Sequence, residues 1–258
     1  MLIDTHCHIH DSDYSLPLSD VLQRAADAGI GQMICVGTSE QSSIDAIKLA
    51  VGHDNIFAAV GVHPHDTKDG YDHIAELAKQ DGVVAVGEIG LDYFYDNSPR
   101  DIQIKALESQ IQTALDNNLP IIFHVRDASS AEQRTVWHDF WPIFDSFTGI
   151  RGVLHSFTDT QDNLDKAFER GLYIGVNGIS TFTKDPAQQK LYATVPLEKM
   201  LLETDAPFLT PAPHRGTINQ PAFVSEIAAF HASIRGINPG EVATATTSNA
   251  QNLFNLQK

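Results

Sequence analysis

Short apolar runs alternate with longer amphipathic stretches along the whole chain. The runs are nearly free of polar residues and partly β-branched, as expected of strands that are buried on both faces of a parallel sheet. There are eight of them, at residues 2–3, 32–36, 57–60, 83–86, 121–123, 152–154, 173–176 and 200–202.

The stretches between and after these runs have helical patterns. In the clearest one, at 100–117, apolar residues recur at helical spacing from Ile104 to Leu115 and predict one buried stripe. Ser19 is a suitable N-cap for a helix over 20–28. The other predicted helices span residues 41–51, 71–80, 136–147, 161–170, 186–193, 222–235 and 239–256.

Eight such alternations predict an α/β fold, a (β/α)8 TIM barrel that forms a single domain over residues 1–258. A length of 258 residues suits this fold, which typically needs ~250. An open doubly wound sheet is the competing architecture. The chain has no G-x-G-x-x-G after a strand, no P-loop lysine motif and no G-x-S-x-G elbow, and these absences favour the barrel.

Composition predicts a cytoplasmic protein, and we expect a monomer. No apolar run approaches the roughly 20 residues of a membrane helix, and the N-terminus lacks the features of a signal peptide. Cys7 and Cys35 lie in apolar runs and are interpreted as buried thiols rather than a disulfide. We therefore expect no membrane partner.

The formal net charge of −16 restricts the partners that the protein can bind. Proteins that bind nucleic acid through its phosphates usually present a basic face, so tight non-specific binding to duplex DNA is disfavoured. A nuclease with a small cationic pocket remains compatible with this charge.

Candidate chemistry begins at Asp4-Thr5-His6-Cys7-His8, where alternation along a strand places His6 and His8 on one face and Cys7 on the other. By itself the H-x-H motif is weak, because the chain has 12 histidines. In a barrel, however, the active site lies at the C-terminal ends of the strands. Several polar residues follow apolar runs at that position: His6, His8, His63, His65, Glu88, His124, Arg126, His155 and Asp205.

Four histidines and two carboxylates at one mouth predict a metal site with two divalent ions, of zinc, manganese or magnesium. As a hypothesis, His6 and His8 hold one ion, and His124 and His155 hold the other. Glu88 bridges the two ions. Asp205 ligates the first ion and accepts a proton from the attacking water, so Asp205 and Glu88 are the predicted catalytic residues.

Other residues near the mouth are candidates for contacts with a substrate phosphate. His63 and His65 follow the third run, with core packing as the alternative for His63. Arg126 lies two residues after His124 and can grip a phosphate, or can pair with Asp127 or Glu88.

Three further sites near the mouth are candidates for a role. Two of them have two alternative interpretations each, and the third has a supporting role. Arg215, in a proline-rich loop, either binds phosphate or holds its own loop together. Tyr93-Phe94-Tyr95 forms an apolar lid or a platform on which a base stacks. Asp92 is interpreted as a residue that orients a ligand histidine.

Five segments together resemble the TatD family of metal-dependent deoxyribonucleases, which are amidohydrolase-like barrel hydrolases. The segments are Asp4-Thr5-His6-Cys7-His8, Gly61-Val62-His63-Pro64, Gly87-Glu88-Ile89-Gly90-Leu91-Asp92, His155-Ser156-Phe157 and Leu202-Glu203-Thr204-Asp205-Ala206-Pro207. The resemblance extends over essentially the whole chain. It implies that the family's metal ligands correspond to His6, His8, Glu88, His124, His155 and Asp205.

This resemblance implies a metal-dependent hydrolase that cleaves the phosphodiester bonds of DNA, as a 3′–5′ exonuclease on single strands or 3′ ends. Two departures concern substrate preference: Asp159 replaces a usual glycine, and Gln220 replaces a usual glutamate. One alternative is amidohydrolase-type hydrolysis of a small amide, lactone or phosphoester on the same scaffold. A more distant one is a metal-stabilised binding protein without turnover.

Overall fold

The computed structural model describes residues 1–95, 97–130 and 135–256. Eight parallel strands follow one another around a single sheet in the order of the sequence, from β1 to β8. They are β1 (Leu2–Cys7), β2 (Ile30–Val36), β3 (Ile56–Val60), β4 (Val83–Asp92), β5 (Ile121–Arg126), β6 (Gly152–Leu154), β7 (Tyr173–Val176) and β8 (Met200–Leu202).

The sheet closes on itself beside the first strand. Asp205 N donates to His6 O at 2.8 Å and His8 N donates to Ala206 O at 2.7 Å, so the chain that follows β8 pairs with the end of β1. The nearly closed ring of strands confirms the predicted single-domain TIM barrel.

Helices cover the outside of the barrel. They are α1 (Leu18–Asp27), α2 (Glu40–Gly52), α3 (Ile74–Leu77), α4 (Arg100–Asp116), α5 (Val136–Asp145), α6 (Gln161–Glu169), α7 (Ile179–Phe182), α8 (Pro186–Thr194), α9 (Val224–Arg235) and α10 (Pro239–Phe254). Among the described residues, no helix combines the length and the apolar character that crossing a membrane requires.

The helices differ from the prediction most clearly at three places, and several other ends differ by one or two residues. Ser19 is not a cap, because the chain already turns at Pro17, whose carbonyl accepts from Asp20 N at 3.0 Å. The helix predicted over 71–80 is reduced to the four residues of α3. The short helix α7 was not predicted, since four residues are too few to show a helical period.

The barrel strands alternate between two apolar layers. Met33 and Cys35 of β2 point outward into the cluster that the helices share, whereas Ile34 and Val36 point into the barrel. Cys7 belongs to the outer layer, and its Sγ lies 4.0 Å from Cys35 Sγ. Both thiols are free and buried, as predicted.

Candidate metal centre

The end of β1 presents two imidazoles to one point. The Nε2 atoms of His6 and His8 lie 3.1 Å apart, and the hydrogen bond between His8 Nδ1 and Val36 O (2.7 Å) fixes the orientation of the second ring. Ligand nitrogens about 2.1 Å from one ion, at an angle near 90°, are separated by about 3.0 Å. The spacing therefore suits two ligands of the same metal ion.

Asp205 completes this group from the chain that follows β8. Its Oδ1 lies 3.3 Å from His8 Nε2 and 3.7 Å from His6 Nε2. The residue has a φ of +59°, a conformation that few non-glycine residues adopt. Its hydrogen bond to the β1 backbone holds it in this conformation, so barrel closure itself aims the carboxylate at the two histidines.

Glu88 of β4 lies between two sets of histidines. Its Oε2 is 3.4 Å from His6 Nε2, while its Oε1 is 2.6 Å from His124 Nδ1 and 3.6 Å from His63 Nε2. Gly90 allows β4 and β5 to approach at this level, because a Cβ there would collide with His124 O. The Glu88 carboxylate therefore directs one oxygen toward each set of histidines.

His155 reaches the same space from the end of β6. Its Nε2 is 3.9 Å from Glu88 Oε1 and 3.8 Å from Asp205 Oδ1, and its ring stacks on His6 with centroids 3.6 Å apart. His155 is thus placed between the two carboxylates.

Glu203, which was not among the predicted site residues, holds His155 from behind. Its Oε1 lies 2.9 Å from His155 Nδ1 and accepts a hydrogen bond of 2.7 Å from Ser156 N. Gly175 leaves room for this carboxylate, since a Cβ at that position would overlap it. The sequence carried a signal for this role, because Glu203 stands two residues before Asp205 and adjoins the same strand end.

Asp92 is placed as its predicted orienting role requires. Its Oδ2 lies 3.0 Å from His124 Nε2 and 3.0 Å from His65 Nε2. Its Oδ1 accepts from the backbone N–H groups of Phe94 and Tyr95, which fixes the carboxylate. His65 therefore shares Asp92 with His124, and 25% of its side chain is exposed.

The pKa values of three histidines and two carboxylates in the centre shift in opposite directions. Burial alone would lower the pKa of His8, His124 and His155, but the neighbouring carboxylates outweigh it and raise these values to about 9, 9 and 10. For Glu88 and Asp205, burial is likewise outweighed by the histidines, so both pKa values are lowered. Metal uptake must displace the histidine protons.

Two histidines of the centre stay neutral. Burial and the charge of His155 lower the pKa of His6, and burial and the charge of His124 lower that of His63 to about 3. His6 Nδ1 is enclosed and has no hydrogen-bond partner among the described residues. Neutral imidazoles beside ionised carboxylates form a donor set that fits zinc or manganese well.

Among the residues that the structure describes, three groups of side chains bring their ligand atoms within 4.8 Å of one another: His6, His8 and Asp205; His6, His155 and Glu203; and His63, Asp92 and His124. The first group matches the predicted first ion. His124 and His155, predicted together for the second ion, are in different groups. The reason is that carboxylates contact both nitrogens of His124, whereas the ring of His155 stacks on that of His6.

The two predicted arginines have different surroundings. The Arg126 guanidinium stacks on Phe94, 4.1 Å from the ring centroid, and no ion pair to Asp127 or Glu88 forms among the described residues. Phe94 and Tyr95 are 42% and 45% exposed, so they do not form a packed lid. Arg215 donates to Thr210 O and stacks on Phe182, which is the loop-holding arrangement.

A cavity of about 690 Å³ opens over these residues. Its walls include His8, His63, Glu88, His124, His155 and Asp205, and among the described lining residues Arg126 is the one arginine or lysine. Gln220 is buried away from this cavity, whereas Asp159 lines a neighbouring one.

Comparison with known proteins gives the family. The family model described as TatD related DNase matches residues 3–255. The chain is 34% identical over 260 residues to the Bacillus subtilis protein named "Uncharacterized metal-dependent hydrolase YabD", covering 99% of this chain and 100% of that protein. It is 35% identical over 265 residues to the Salmonella typhimurium "3'-5' ssDNA/RNA exonuclease TatD", covering 99% of each chain.

A solved structure of a TatD homologue has the same fold as this chain. The crystal structure of YJJV, a TatD homologue from Escherichia coli, superposes with a TM-score of 0.87 at 30% identity and covers 98% of each chain. The chain belongs to the TatD-related DNase family and is a metal-dependent hydrolase that acts on ester bonds.

Proposed function

We propose that this protein removes nucleotides from the 3′ end of single-stranded DNA at a centre of two divalent ions. The observation that carries the proposal is the position of Glu88, with one oxygen facing His6 and the other facing His63, His124 and His155. His6, His8 and Asp205 would hold one ion. Although His124 and His155 lie in different groups, both approach Oε1 of Glu88, so they would hold the other ion, and Glu88 would contact both. When bound, two divalent ions stabilise negative charge on a phosphate and favour ionisation of water at neutral pH.

The side chains divide the remaining work. Asp205 is ionised because its pKa is lowered, and its carboxylate is 15% exposed toward the mouth, so it can accept a proton from the attacking water. Arg126 and His63 line the same cavity and contact the phosphate. Glu203 and Asp92 keep His155 and His124 in place.

The preference for single strands follows from the shape and charge of the mouth. A cavity of about 690 Å³ has the size of a site for one small ligand and is too small for a duplex, so a base must leave its stack to enter. With a net charge of −16 and one lining arginine, attraction for the backbone is local. The 3′ polarity rests on the name of the Salmonella relative.

A labelled digest tests the proposal. With manganese present, a 3′-labelled oligonucleotide should release its label at once as a mononucleotide, while the 5′-labelled form shortens stepwise. Asp205→Asn should reduce kcat by about 10³-fold, in the range of general-base removal, with an unchanged circular dichroism spectrum. Asp101→Asn, at an exposed helix position, is the control. Parental rates in Asp205→Asn, or early release of the 5′ label, would refute the proposal.

A second candidate is hydrolysis of a small amide, lactone or phosphoester, which the acidic charge favours. Short oligonucleotides should then fail to inhibit turnover of bis(p-nitrophenyl) phosphate. Competitive inhibition instead supports the nuclease.

A further inference from the structure

A second cavity, of about 590 Å³, opens directly beside the metal centre. Four residues line both cavities: Val125, Arg126, His155 and Thr158. We propose that this side cavity binds the nucleoside next to the scissile phosphate. It shares His155 with the metal centre and is otherwise lined by residues outside the proposed ligand set. The inference rests on the proposed nuclease function and deepens it.

The position of Arg126 defines how a strand would cross from one cavity to the other. Its guanidinium lies on the border and stacks on Phe94, which lines the side cavity. A phosphate held at this guanidinium leaves the adjacent sugar and base over the side cavity. The volume lies within the roughly 300–1,000 Å³ of small-ligand sites.

The wall of the side cavity carries charges of both signs, with three aspartates beside Arg126 and Lys190. The aspartates, Asp127, Asp159 and Asp185, accept hydrogen bonds from backbone N–H groups at or near the N-termini of α5, α6 and α8. These N–H groups are therefore already paired and do not offer a free anion site. A wall of mixed charge suits an uncharged base and sugar.

The wall also holds two hydrogen-bonding atoms without partners among the described residues. Trp137 is 8% exposed, and its Nε1 donor is enclosed and unpaired. Gln188, which donates through Nε2 to Asp159 O, has an unpaired Oε1 acceptor. Both residues line the cavity. Buried polar groups are rarely left unpaired without a reason, and an unpaired donor and an unpaired acceptor on one wall can be satisfied by a ligand that reaches them.

Asp159 ties two parts of the cavity wall together. Its Oδ1 accepts from Thr160 N and Asn163 Nδ2, and its backbone carbonyl accepts from Gln188 Nε2. The carboxylate therefore holds the start of α6, and the carbonyl holds Gln188 on the wall.

Ala187 offers a way to fill the cavity without touching the metal centre. It is exposed on the first turn of α8 and lines the side cavity. Ala193 is exposed on the same helix but does not line it. The variants Ala187→Phe and Ala193→Phe therefore differ only in where the same side chain is placed.

Kinetics with two substrates test the proposal. For the dinucleotide d(ApA), Ala187→Phe should lower kcat/KM about tenfold, because the phenyl ring takes the space of one base and removes its contacts, which are of the order of 1–3 kcal/mol per base. Hydrolysis of bis(p-nitrophenyl) phosphate, which has no nucleoside, should stay within twofold of the parent. Ala193→Phe should change neither rate. Parental kcat/KM on d(ApA), or equal losses on both substrates in Ala187→Phe, would overturn the proposal.

Fluorescence gives a readout that does not depend on turnover. The chain has two tryptophans, Trp137 on the wall and Trp141 stacked on it at 5.1 Å. A slowly cleaved phosphorothioate of d(ApA) should quench them saturably in the zinc-loaded parent and in Ala193→Phe, but not in Ala187→Phe. If the parent cleaves neither substrate, the nuclease proposal fails. The titration then still decides on the cavity, and absence of saturable quenching refutes it.

Discussion

Replacing Glu203 by glutamine removes one charge behind the metal centre and changes almost no shape. The glutamine oxygen can still accept from Ser156 N, which in the parent donates to Glu203 at 2.7 Å. What is lost is the negative charge 2.9 Å from His155 Nδ1, in a place where Glu203 is 1% exposed. His155 should therefore become a weaker and less firmly oriented ligand.

The distance gives only an upper bound for the effect, because the full attraction requires a protonated His155. Two unit charges 2.9 Å apart attract by about 6 kcal/mol at an effective dielectric constant of about 20. Desolvation of both groups cancels much of that attraction. Partners behind a metal-ligating histidine typically contribute 10–100-fold to metal affinity, or about 1.4–2.7 kcal/mol. We expect Glu203→Gln to raise the Kd for zinc about 30-fold.

Calorimetric titration of zinc into metal-free protein measures this Kd directly. Glu198→Gln, at an exposed position in the turn before β8, is the matched control and should bind like the parent. Thermal unfolding of the metal-free variants verifies that both fold. A Glu203→Gln protein with a Kd within twofold of the parental value would refute the role assigned to Glu203.

Two other predictions concern stability. Saturating manganese at about 100 times its Kd should stabilise the protein by about 2.7 kcal/mol and raise Tm by about 5–10 °C in a thermal melt, and a Tm that is the same in chelator would contradict a metal site. Burial and Arg235 lower the pKa of His231 to about 3, so the unfolded chain binds the extra proton below pH 6.5 and stability falls as the pH drops. Between pH 7 and 5 this residue should lower the free energy of unfolding by about 2 kcal/mol, as measured by urea unfolding with chelator present. His231→Gln should remove this loss, whereas the exposed-site control His138→Gln should retain it.

Much of the fold was predictable from the apolar pattern, and the misses have a common cause. The run at 83–86 is the start of β4, which continues to Asp92, and the run at 121–123 continues as β5 to Arg126. Hydrophobicity stops where the strands enter the mouth of the barrel, because polar side chains replace apolar ones there. The pattern therefore located every strand but ended several of them too early.

The site was predictable as a set of strand-end positions but not as a set of pairs. His6, His8 and Asp205 come together as expected. His124 instead engages Glu88 and Asp92, and His155 engages His6 and Glu203, because ring orientation depends on partners far away in the chain. Nothing local to Arg126 indicated that it would stack on Phe94 at the border of two cavities.

The sequence by itself determined the barrel, the end at which polar residues gather and the types of ligand available, since these depend on alternation along a strand and on residue chemistry. Only the tertiary structure decided which oxygen of Glu88 faces which histidine, that Glu203 supports His155, and that a second cavity adjoins the centre. These contacts depend on distances of about 3 Å between residues that are 36 to 82 positions apart in the chain. Strand register and barrel closure set such distances, and no local pattern encodes them.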